Sequence, residues 1–90
     1  MKATKTFKIG EYAVGGKIRV KITGKVIQIE AIDWFSNEVL RSGSVLTTES
    51  DVRRKLDLFL IDLTSSYYTD KILEWIESKV KLKTNENYWV

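Results

Sequence analysis

Lys17-Ile18-Arg19-Val20-Lys21-Ile22-Thr23 decides how the chain folds. Its apolar residues recur at every second position, and successive side chains of a strand project to opposite faces. Ile18, Val20 and Ile22 therefore share one face, while Lys17, Arg19, Lys21 and Thr23 share the other. This is a strand with one buried side and one cationic side. Thr23-Gly24-Lys25 follows as a reversal, glycine at the first central position suiting a type II′ turn. A third strand is predicted from Val26 to Phe35, with Ile27, Ile29 and Ala31 continuing the core and Gln28, Glu30, Ile32 and Trp34 on the side of the lysines.

Upstream, Thr6 to Val14 places Phe7 and Ile9 on one side, Gly10 reads as a bulge, and Gly15-Gly16 supplies a hairpin turn. Downstream, Ser36-Asn37-Glu38 reads as a turn and Val39 to Thr47 as a fourth strand weakened by Ser42-Gly43-Ser44. Beyond it the period changes to 3.6. Thr48 and Asp51 have capping-box spacing, and Val52, Leu56, Phe59, Leu60 and Leu63 mark one helical stripe. A phase break at Thr64-Ser65-Ser66 precedes a further helix carrying Tyr68, Ile72, Trp75, Ile76 and Val80. The predicted fold class is α+β, a four-stranded antiparallel meander followed by two helices on one face, ββββαα. Strands are expected over about 6–47, helices over about 49–82 and a tail over 83–90, in a single domain spanning 1–90.

The 90 residues are 43% hydrophobic and 30% charged, inside the globular range and outside the disordered one. A chain this short buries about 60% of the surface it exposes when unfolded, so self-association would help it, and a homodimer is expected. No apolar run is long enough for a membrane span and no apolar segment follows the first lysines as in a secretory signal, so the expected address is the cytoplasm. Charge divides along the chain. Residues 1–47 carry eight bases and four acids, residues 48–90 seven bases and eight acids.

A sheet with helices on one face leaves its other face free. That face is expected to present Lys8, Arg19, Lys21, Gln28, Trp34 and Arg41, with Lys17 and Lys25 at its rims. Cations that follow a phosphate chain, beside a flat side chain that stacks on unpaired bases, suit single-stranded DNA or RNA. Two plainer readings stand beside this one. Alternating lysines also serve as a solvated face or as protection against edge pairing, and Trp34 also serves as packing in a core or interface.

Phe7-Lys8-Ile9-Gly10, Gly24-Lys25-Val26, Ile32-Asp33-Trp34-Phe35, then Gly43, Leu46 and the helix through Leu56 resemble the positive-cofactor-four family of transcriptional coactivators. The resemblance covers roughly residues 6–60. It implies a ββββα single-stranded DNA binder acting as a homodimer, with Lys8, Arg19, Lys21, Lys25 and Trp34 as the contacting residues. Two features depart from that family: the compact turn at Ser36 to Glu38, and the second helix and aromatic tail that follow the first helix.

Enzymatic chemistry has little to work with, and no catalytic residue, metal ligand or cofactor is expected. Histidine and cysteine are absent, and the nearest carboxylates, Glu30 and Asp33, fall on opposite faces of one strand. The rival function is a protein-binding module, a small adaptor or inhibitor of the kind mobile elements encode. Its candidate interface is Leu58, Ile61, Tyr67, Trp75 and Trp89, the last in the Tyr88-Trp89-Val90 tail.

Overall fold

The structure is a computed structural model that describes residues 2–82. Four strands, β1 (Lys2–Lys8), β2 (Gly16–Thr23), β3 (Val26–Asp33) and β4 (Val39–Leu46), form an antiparallel sheet in the order β1-β2-β3-β4. Two helices follow, α1 (Val52–Ile61) and α2 (Ser66–Lys79). The predicted α+β meander with two trailing helices is the observed fold.

Register explains why one face is covered. Ile18 lies opposite Ala31, Val20 opposite Ile29, and Ile22 opposite Ile27. These six side chains form an apolar sheet surface withdrawn from water, and Val52, Leu56, Leu60 and Leu63 with Ile72, Leu73 and Ile76 pack on it. The stripe positions of both helices supply these contacts at intervals of three and four residues. Gly43 of β4 lets α1 approach closely: a Cβ there would stand 3.0 Å from the Phe59 ring. No helix among the described residues is long and apolar enough to cross a membrane.

Several boundaries differ from the sequence expectation, each for a local reason. β1 starts at Lys2 and ends at Lys8 in place of running from Thr6 to Val14. Gly10 adopts φ +71 and opens a 3-10 turn over Gly10–Tyr12, so it breaks the strand where a bulge was expected. The connection is tied down by distant residues: the Val14 N–H donates to the Leu63 carbonyl at 2.8 Å, and the Thr64 hydroxyl donates to the Tyr12 carbonyl. The start of α1 also lies later than the Thr48–Asp51 spacing predicts, with Asp51 itself at the N-cap. Asp51 takes a left-handed conformation, φ 63, and its side chain caps nothing. Glu49 turns back to accept the Leu46 N–H at 2.8 Å and pairs with Lys55, so α1 starts at Val52. α2 has the side-chain cap that α1 lacks, Ser65 accepting from the Tyr68 N–H at 3.4 Å. The expected tail, with Tyr88, Trp89 and Val90, lies outside the described residues.

Candidate nucleic-acid interface

Side chains directly opposite one another in an antiparallel ladder share a face, so the face away from the helices can be written as four rows. Lys8, Lys17, Ile32 and Val39 form the first row, and Thr6, Arg19, Glu30 and Ser42 the second. Thr4, Lys21, Gln28 and Ser44 form the third, and Lys2, Thr23, Val26 and Leu46 the fourth. Five cations and one acid share this surface. The cations all stand on β1 and β2, while β3 and β4 contribute apolar and small polar groups.

Glu30 organises the centre. It is 6% exposed although it lies on the open face. Arg19 Nε approaches its Oε1 at 2.9 Å and Lys21 Nζ at 3.4 Å. The Arg19 hydrogen bond, opposed by burial and reinforced by Lys21, holds the Glu30 carboxyl below its usual range. The two cations thus converge on one carboxylate oxygen and keep part of their surface in water.

Trp34 stands just past the end of β3. Its backbone N–H donates to the Gly15 carbonyl at 2.7 Å, and its ring lies against Gly16, a Cβ there being 3.2 Å from Trp34 Cε3. Lys17 Nζ lies 5.9 Å from the indole centroid and donates to Asn37 Oδ1 at 2.6 Å. Asp33 fixes the turn that follows by accepting the N–H groups of Phe35 and Ser36 and the Ser36 hydroxyl. These bonds, the Ser36 N–H foremost, hold the Asp33 carboxyl below its usual range. The turn throws Phe35 outward to 90% exposure beside Trp34, which is 43% exposed. Together they line an open concavity of about 410 Å³ with Gly10, Glu11, Ala13, Gly15 and Gly16.

The structure therefore brings Lys8, Lys17, Arg19 and Lys21 onto one face, with Trp34 at its end. Lys17 projects from the open face in its end row, at the start of β2. Lys25 is exposed in the turn between β2 and β3. Arg41 lies elsewhere: it pairs opposite Ala31, on the helix side of the sheet. Leu40 is an extra residue between Val39, which faces Ile32, and Arg41, and this bulge reverses the side on which Arg41 projects. Phe35 is absent from the expected site. Uninterrupted alternation would have put it on the core side, and the signal against that is the Asp33-Ser36 pair, which stops the strand at Asp33.

The residues of the expected protein interface separate. Leu58, Ile61 and Tyr67 are exposed on the helices. Tyr67 stacks edge-on against Tyr68, which in turn lies 5.8 Å from Tyr12. Trp75 is half-buried and packs edge-on against Phe7 at 6.1 Å, and Trp89 lies outside the described residues. Among the described residues no three carboxylate side chains gather as a metal ion would require. Comparison of the chain with protein families, curated proteins and solved structures finds no match.

Proposed function

We propose that the chain is a binding protein for single-stranded nucleic acid, which lies across the open face of the sheet. Lys8, Lys17, Arg19 and Lys21 follow the phosphates, and Trp34 and Phe35 stack on unpaired bases at the end of β3. The observation that carries this reading is the placement of four cations in adjacent positions of β1 and β2 beside two exposed aromatic rings. The sequence resemblance to the positive-cofactor-four family supports the same ligand class. Glu30 fits it as an organiser, since it aims Arg19 and Lys21 without hiding them, each keeping about a third or more of its side chain in water, 32% and 39%. The competing reading, a protein-binding module, rests on the exposure of Leu58, Ile61 and Tyr67.

A fluorescence titration with an unstructured oligonucleotide separates the two. Four phosphate contacts on a single strand give a log-log salt slope of about −3, or roughly a fiftyfold loss of affinity between about 50 and about 200 mM salt. Arg19→Glu with Lys21→Glu abolishes binding, and Trp34→Ala costs about 1 to 3 kcal/mol of it. Absence of binding at the lower salt, or equal affinity for duplex DNA, refutes the proposal.

A further inference from the structure

The two edges of the sheet differ in how they would receive another strand. β1 carries Lys2, Lys5 and Lys8 in seven residues, whereas β4 carries one charge, Arg41, in eight. Lysines along an edge repel an incoming strand, and an edge without them leaves its outward N–H and C=O groups open to one. On β4 these are the groups of Ser42 and Ser44, since Glu49 already takes those of Leu46. β4 ends the strand order, with β3 as its neighbour on one side. Leu40 and Leu46 are 46% and 47% exposed on it. The bulge at Leu40 is confined to the start of the strand and leaves Arg41 to Leu46 in unbroken register.

We propose that β4 pairs with β4 of a second copy of this chain, antiparallel about a two-fold axis through Gly43, joining two sheets into one of eight strands. The strand's own sequence selects that occupant. Leu40-Arg41-Ser42-Gly43-Ser44-Val45-Leu46 reads almost identically in both directions from its centre. A two-fold antiparallel seam sets residues equidistant from the centre opposite one another, because the same patch is used on both copies. Serine then meets serine, and each Arg41 faces a valine and not its own counterpart, while Leu40 and Leu46 fall at the two ends of the seam. The Phe59 ring beneath Gly43 backs the midpoint of the seam.

The dyad of such a seam stands perpendicular to the sheet, so both open faces turn to the same side. The lysine-bearing β1 strands become the outer edges and block further addition, which makes the assembly a closed dimer and not a filament. This inference does not depend on nucleic-acid binding.

Sedimentation equilibrium and amide hydrogen exchange on the full chain test it together. The expected result is a species of twice the 10.4 kDa chain mass. Protection of the β4 amides rises with protein concentration while that of β1 does not. Leu40→Lys with Leu46→Lys raises the dissociation constant more than about tenfold, equivalent to about 1.4 kcal/mol. A chain still monomeric at about 1 mM overturns the inference. So does a dimer indifferent to the lysines, or β4 protection that is independent of concentration. If the double variant does not fold, the concentration dependence of β4 protection in the unaltered chain decides alone.

Discussion

On the helix side of the sheet, Ile18, Val20, Ile22, Ile27 and Ile29 lose their water to α1 and α2. One position away along the same strands, Glu30 and Ile32 are also buried, at 6% and 3% exposure, with neither α1 nor α2 above them. Their cover comes from neighbours on their own face: Arg19 and Lys21 over Glu30, and Lys17 and Val39 beside Ile32. Long cationic side chains shield apolar or acidic neighbours with their stems and keep their charged ends wet. The covered face is held by a second layer of secondary structure, and the open face by side chains laid across it. The cations of the open face therefore have a structural role as well as the proposed binding role, and substitutions there change both.

The largest break in this contrast is Ile29→Ala, at the centre of the covered face. It removes buried methyl and methylene groups where neighbours on both layers are fixed, and is expected to cost about 2 to 5 kcal/mol. Urea unfolding measures it, and Ser44→Ala on the open face serves as the reference, with an effect of about 0.5 kcal/mol or less.

Glu30→Gln is the next largest. It leaves Arg19 and Lys21 without their shared anion, at a cost of about 1 to 2 kcal/mol, reduced from the usual range for charged hydrogen bonds because both cations reach water. Its pH signature is specific. The folded-state carboxyl is held below its ordinary value of 4.5, so its stabilisation is complete above that value and is lost as pH falls through the lowered one. Glu30→Gln flattens the stability profile in that acid window. Asp33 and Glu49, also lowered, retain their part of the slope. The same change removes the one acid of the open face and, under the proposed function, steepens the salt dependence of oligonucleotide binding.

Thr69→Val has the smallest effect and the opposite sign. Its hydroxyl is buried on the helix side without a hydrogen-bond partner. Replacing it with a methyl group is expected to raise stability by up to about 1 kcal/mol, read as a rise in the urea midpoint. A loss of stability would show that this buried oxygen has a hydrogen-bond partner.

The sheet's core and the helical stripes were legible because period is a strong signal where one side of an element is buried. Ile18 to Ile22 and Val52 to Leu63 are such cases. The first strand was misplaced because Lys2 to Thr6 holds Ala3 as its one apolar residue, and an edge strand needs little burial to form. Site positions were harder still. Alternation assigns Lys8, Lys17, Arg19 and Lys21 to one face, but it has no means of counting the extra residue at Leu40, which moved Arg41 to the other side. Phe35 was hidden for a related reason: a turn held by Asp33 carboxylate bonds ends the strand before alternation runs out. Register depends on such local interruptions, and they are weaker sequence signals than hydrophobic period.

The connection between β1 and β2 is latched by a backbone bond to Leu63 and a side-chain bond from Thr64, whose hydroxyl reaches back 52 positions to Tyr12. The first reversal of the chain has local bonds of its own, from Ile9, Ala13 and Gly16, but the two latching bonds form only once the junction between the helices is in place. On a growing polypeptide the earliest loop to emerge is thus among the last to be completed, and its two distant bonds report that both layers have come together.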